Sequence, residues 1–143
     1  MYLVDANVLL YAADSISRDH AACRDWLVNA LNGSTRVGLP AQSIGAFLRI
    51  STHPRVMDRP LTADEAWSIA SAWLDAPAAW VPEVTDHTLA VLGELVVTHA
   101  VTGNLVTDAQ LAAQAIEHGL AVVTLDTDFA RFPVRSIDPR THA

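Results

Sequence analysis

Short apolar runs alternate along this chain with longer stretches whose apolar positions recur every three or four residues. Strands and amphipathic helices are therefore expected to follow one another. The opening Tyr2-Leu3-Val4 is an apolar run that stops at Asp5, which predicts a buried strand with the acid at its C-terminal end. Residues 8–13 read as a short helix, with Asn7 placed to cap it. A second helix is predicted over about 19–31, where Cys23, Trp26, Leu27, Ala30 and Leu31 keep helical spacing. Residues 36–39 form a second short strand ahead of Pro40. A helix from Ala41 to about Ser51 carries Ile44, Phe47 and Leu48 on one face.

Thr62 and Glu65 match a capping box for a helix ending near Asp75, before Pro77. Residues 80–84 make a weak strand, because Pro82 limits pairing. Residues 86–99 and 104–118 read as helices, and Gly119 stops the second. Residues 120–125 form a strong buried strand running into Asp126, and a last strand includes 134–137. Strands separated by helices predict a three-layer α/β/α domain over 1–143, with a central, mainly parallel sheet of four or five strands. No repeat, linker or low-complexity run interrupts it.

Composition narrows the chemistry. With 51% hydrophobic and 17% charged residues, 143 residues can bury a full core. All nine basic residues are arginine. The lack of lysine excludes a P-loop ATPase and a Schiff-base enzyme. The single Cys23 excludes an internal disulfide and a cysteine-held zinc or iron–sulfur site, and it reads as a small core hydrophobe. His20, His53, His87, His99, His118 and His142 are scattered without an H-x-x-x-H pair, which argues against zinc. Asp5 and Asn7 break the first apolar run, so no signal peptide is expected. No stretch nears the ~20 apolar residues of a membrane span, and a cytoplasmic protein is expected.

The net charge of -7 is unevenly laid out. Residues 36–59 carry Arg36, Arg49, Arg55 and Arg59 against Asp58 alone, whereas residues 60–128 carry ten acids and no arginine. Residues 129–143 carry three arginines against Asp138. Two local basic segments thus sit in an acidic chain, and they soften the argument against a nucleic-acid partner.

The acids line up. Asp5 and Asp126 each end an apolar strand, and sites in open parallel sheets form at the carboxyl ends of strands. Asp128 follows Asp126 by two residues, and Asp108 lies in the first turn of the helix before that strand. Two such carboxylates about 4 Å apart repel by about 4 kcal/mol at an effective dielectric of 20. A hard divalent cation, Mg²⁺ or Mn²⁺, relieves that repulsion. Singly, each acid also reads as a helix cap, a dipole partner or a turn residue. Jointly, with two of them ending strands, they read as a cluster.

Several segments carry a family resemblance. They are Val4-Asp5-Ala6-Asn7-Val8-Leu9-Leu10-Tyr11-Ala12, Phe47-Leu48-Arg49-Ile50 with Thr52-His53-Pro54-Arg55-Val56, Val106-Thr107-Asp108-Ala109-Gln110-Leu111-Ala112-Ala113, and His118-Gly119 leading to Val123-Thr124-Leu125-Asp126-Thr127-Asp128-Phe129. In this order they resemble PIN-domain ribonucleases, and specifically the VapC toxins of VapBC toxin–antitoxin pairs. The resemblance implies an endoribonuclease dependent on Mg²⁺ or Mn²⁺ that cuts tRNA or rRNA, stops translation and is blocked by a cognate VapB-like antitoxin. It implies metal binding by Asp5, Asp108 and Asp126, with Asp128 as a further catalytic acid. Thr124 and Asn7 match polar positions that support the acids. The family usually places a Glu in the third helix where this chain has Ala46, after Gly45. Gln42 and Ser43 are the nearest polar groups; Gln42, one turn earlier, can reach the same space but brings no charge, so one well-held ion is expected, or a second that binds only with substrate phosphate.

Arg49 and Arg55, then Arg131, are the candidates for RNA phosphates. Trp67 and Trp73, with Ile69, Ala70 and Leu74, crowd one helix. They serve either the core or an apolar face for an antitoxin helix or a homodimer. Two rival readings stand beside the toxin: a degenerate PIN domain that binds RNA or protein without cutting, and a 5′-nuclease-like DNA enzyme, for whose helical arch the chain is short.

Overall fold

The computed structural model describes residues 1–141, so His142 lies outside them. Five strands and six helices follow in the order β1 (Tyr2–Val4), α1 (Ala6–Ala13), α2 (His20–Leu31), β2 (Val37–Gly38), α3 (Ala41–Ser51), α4 (Ala63–Leu74), β3 (Ala79–Trp80), α5 (Asp86–Thr98), α6 (Leu105–His118), β4 (Ala121–Val123) and β5 (Ser136–Ile137). A short 3-10 helix, Thr127–Arg131, lies between the last two strands. All five strands join one sheet, ordered β3-β2-β1-β4-β5, and every pairing is parallel. The three-layer α/β/α architecture is the expected one.

The strand order explains the layers. From β1 the chain steps outward to β2 and β3, then returns across β1 to reach β4 and β5. Parallel crossovers are right-handed, so reversing the direction of travel moves the connecting helices to the opposite face. Side chains along a strand alternate between faces. Val4 and Val123 pack with Val8, Leu9, Leu27, Phe47, Ala66 and Ala70, from α1 to α4. Leu3 and Val122 pack with Leu95, Leu111, Ala112, Phe129 and Phe132, from α5, α6 and the 3-10 turn. Two half-cores therefore clamp β1 and β4 from both sides.

Element ends differ from expectation where side chains compete for caps. The first helix begins at Ala6, because Asp5 rather than Asn7 is its cap. The Asp5 Oδ1 accepts from the Ala6 amide at 2.7 Å. The third strand is Ala79–Trp80, and pairing stops before Pro82, which has no amide hydrogen to give. The capping box of Thr62 and Glu65 forms as expected. Gly119 closes α6 at a φ of +68°, where an L side chain is strained. Cys23 is fully buried and its thiol is pushed up to about 11, chiefly by that burial, as befits a packing residue. Trp73 packs edge-on against Phe47 at 4.9 Å between ring centroids, whereas Trp67 keeps 53% of its surface exposed. The tryptophan helix thus divides between a core role and an open one. Among the described residues no helix is long and apolar enough to cross a membrane.

Candidate metal centre

Register brings the first parts of the site together. In the β1–β4 pair Tyr2 sits opposite Ala121, Leu3 opposite Val122 and Val4 opposite Val123. The Asp5 amide extends the ladder to the Val123 carbonyl at 2.9 Å. The next residues on the two strands, Asp5 and Thr124, therefore emerge side by side. This is where the strand order reverses, the place at which open α/β sheets leave a crevice.

Thr124 is the hub of that crevice, with only 3% of its surface exposed. Its hydroxyl donates to Asp5 Oδ2 at 2.7 Å. The same oxygen accepts from the Asp126 amide at 3.0 Å and from Asn7 Nδ2 at 3.3 Å. Asn7 Oδ1 in turn accepts from the Leu125 amide at 3.3 Å. Asp5 and the 124–126 turn are thus tied into one network, and Asn7 braces the start of α1 against the turn after β4 rather than capping the helix.

The chain then turns tightly. Asp126 Oδ1 accepts from the Asp128 amide at 2.8 Å and starts the 3-10 helix. Phe129 and Phe132 anchor this turn in the core. Asp108 arrives from the first turn of α6. Gln42 Nε2 donates to the Thr107 carbonyl at 3.1 Å, next to Asp108, which ties α3 to the start of α6. Ser43, in sequence only a polar neighbour of Gln42, is buried and donates to the Val4 carbonyl at 2.7 Å. It pins α3 to the end of β1.

The outcome is a group in which Asp108, Asp126 and Asp128 each offer a carboxylate oxygen within 4.8 Å of the others. Asp5 stands beside this trio, with its two oxygens already bonded to Ala6 and Thr124. Electrostatics records the crowding. Burial, then the charges of Asp126, Asp5 and Asp128, push the Asp108 carboxyl up to about 6, against a smaller opposing pull from Arg131. Burial also raises Asp5, opposed by the Thr124 and Ala6 hydrogen bonds and reinforced by Asp126. Such a set of oxygens, with more negative charge than the one nearby arginine, Arg131, balances, has the chemistry of a hard divalent-ion site.

The candidate arginines are placed differently. The Arg131 guanidinium lies 3.7 Å from Asp128 Oδ1, at the rim of the acids. Arg49 is exposed in the last turn of α3, about 9 Å along the helix axis from Ser43 at 1.5 Å per residue. Arg55 is exposed in the loop that follows. Neither makes an ion pair among the described residues. Ala46 lies half-buried in α3 and brings no carboxylate.

Comparison with known proteins places the chain in a family. A PIN domain model matches residues 2–134. The chain is 39% identical to ribonuclease VapC37 of Mycobacterium tuberculosis over 132 residues, 92% of each chain. It is 36% identical over 140 residues to ribonuclease VapC31 of the same species, covering 97% of this chain and 99% of that one. Among solved structures, VapBC2 of Rickettsia felis bound to a promoter DNA fragment superposes with a TM-score of 0.70 at 16% identity, covering 95% of this chain and 96% of that one. The sarcin–ricin-loop-cleaving toxin VapC20 of Mycobacterium tuberculosis gives 0.68 at 17% identity, covering 91% and 93%.

Proposed function

Because the chain belongs to the VapC group of the PIN-domain family, we propose that it is a divalent-metal-dependent endoribonuclease, the toxin of a VapBC-type pair. The observation that carries this reading is the convergence of Asp108, Asp126 and Asp128 at the switch point of the sheet, beside an Asp5 held in place by Thr124. The donor set fits Mg²⁺ or Mn²⁺, since every ligand atom is a carboxylate oxygen.

Asp5, Asp108 and Asp126 would hold the ion, directly or through water, with Asp128 alongside. When bound, the ion supplies charge neutralisation at the phosphate and lowers the pKa of water. Asp126 or Asp128 orients the attacking water and takes its proton. In-line displacement leaves a 5′-phosphate and a 3′-hydroxyl. Thr124 and Asn7 keep the acids in register, and Gln42 keeps Asp108's helix in place. Arg49, Arg55 and Arg131 grip backbone phosphates of a tRNA or rRNA, and cleavage stops translation in the cytoplasm. With Ala46 in the third helix, a single ion is held. A VapB-like antitoxin restrains the enzyme by setting an arginine against the acids in place of metal charge. The exposed Trp67 is open to that partner or to a second copy of the chain in a homodimer.

The test is cleavage of bulk tRNA and rRNA by the chelator-treated protein, with and without added Mn²⁺. No cleavage in chelator, followed by Mn²⁺-restored fragments carrying 5′-phosphates, is the expected result. Undiminished cleavage in chelator removes the metal from the mechanism. RNA binding without cleavage at any Mn²⁺ concentration makes the protein the non-cutting module that Ala46 suggests.

A further inference from the structure

Among the described residues, Arg131 is the one basic side chain in an ion pair with the acidic group. Its contact with Asp128 is loose. At 3.7 Å it is longer than the 2.7–2.9 Å of a charge-assisted hydrogen bond. The Arg140–Asp138 pair elsewhere in the chain closes to 2.6 Å and adds Nε contacts at 3.0 and 3.1 Å. The Arg131 and Asp128 side chains are 42% and 46% exposed, so the guanidinium has solvent to swing into. It nevertheless cannot leave the neighbourhood. Residues three apart in a 3-10 helix stand one above the other, and Phe129 and Phe132 hold that turn in the core.

We propose that Arg131 and the divalent ion exchange places: in the metal-free protein the guanidinium is the counter-cation of the acids, and metal binding releases it from Asp128 to clamp an RNA phosphate beside the scissile bond. This inference rests on the reading of the acids as a metal centre and adds a coupling to it. A +1 and a +2 charge confined to one rim repel, so the resident arginine weakens metal binding. Once displaced, its planar fork is the donor geometry that matches a phosphate. The site then gains full grip on RNA only after the ion has arrived.

Mn²⁺ calorimetry on Arg131→Ala and Arg131→Lys beside the wild type, with KM for RNA measured on the same samples, tests this. Arg131→Ala is expected to bind Mn²⁺ about three- to tenfold more tightly, as relief of a screened charge repulsion implies, while its KM rises several-fold. Arg131→Lys keeps the charge and loses the fork, so it retains wild-type Mn²⁺ affinity with a raised KM. An arginine that only supported the fold would weaken metal and RNA binding together. Mn²⁺ binding by Arg131→Ala that equals the wild type, or is weaker, overturns the exchange and leaves the metal centre standing. Absence of Mn²⁺ binding in all three proteins overturns the metal centre itself, and the exchange with it.

Discussion

Asp126→Asn is expected to lower RNA cleavage by at least about a thousandfold, a loss of about 4 kcal/mol of transition-state stabilisation. The same substitution is expected to make the metal-free protein more resistant to heat at pH 7.5. The two effects share one cause. Asp126 belongs to the trio that presents its oxygens together, and its charge is the first neighbour that raises Asp108. An amide at this position still accepts from the Asp128 amide through its oxygen, so the turn survives. What disappears is one carboxylate charge, which the proposed ion would need as a ligand, and one like-charge repulsion, which folding does not need.

The pH dependence of that stability follows from the sign of the Asp108 shift. Asp108 titrates near 6 in the folded protein, against about 3.9 for an unfolded aspartate. Between those values the native state holds more protons than the unfolded one, so this group makes stability fall as pH rises from about 4 to 6. Above 6 the penalty is fully present. Asp126→Asn removes part of it, about 1 kcal/mol after solvent screening, or about 3–5 °C in Tm at pH 7.5. At pH 4.5 the gain shrinks, because Asp108 is already protonated. Glu65, Glu117 and Asp138 are lowered and shift stability in the opposite direction. They are common to both proteins and cancel in the difference. Thermal melts at the two pH values check this, and a Tm lower than wild type at both would contradict it.

Thr124→Val tests the scaffold beneath the acids. Valine has nearly the shape of threonine, so the buried volume is kept while three hydrogen bonds are lost. Asp5 loses its hydroxyl donor and the Asp126 amide loses its acceptor, both in a buried setting. Leaving a charged group short of one buried hydrogen bond costs about 1.5–3 kcal/mol, a fall in Tm of about 5–10 °C. Asp5, already raised by burial, rises further and becomes a poorer ligand at neutral pH. Mn²⁺ affinity is expected to drop about 10- to 100-fold, the usual scale for losing a ligand's supporting bond. Thr124→Ser keeps the hydroxyl and should recover most of both losses. A Thr124→Val protein with wild-type Tm and Mn²⁺ affinity would show that the network does not hold the site.

The strand ends were legible because physics writes them plainly. An apolar run must be buried, and a carboxylate directly after it marks the edge where the chain leaves the sheet. Leu3-Val4-Asp5 and Val123-Thr124-Leu125-Asp126 both carry that mark. The helix of Asp108 was legible from its apolar period and Gly119. Other parts were hidden. The register that sets Asp5 beside Thr124 depends on how β1 and β4 slide against each other, and two apolar runs in a parallel pair do not encode that offset locally. Asp5, not the expected Asn7, caps α1: both are good caps, and only the ladder to Val123 decides between them. The 3-10 turn that stacks Arg131 over Asp128 spans five residues, too few for a periodic signal. Ser43 and Gln42 act through backbone carbonyls of distant elements, which no local pattern shows.

The central claim is that these aspartates hold a divalent ion at the sheet's switch point. Crystals soaked in Mn²⁺ test it directly through the anomalous scattering of manganese. A single peak within direct or water-mediated reach of the Asp5, Asp108 and Asp126 carboxylates, with Asp128 alongside, is the predicted result. Crystals that take up manganese elsewhere, or nowhere, while the purified protein still cuts RNA would contradict it.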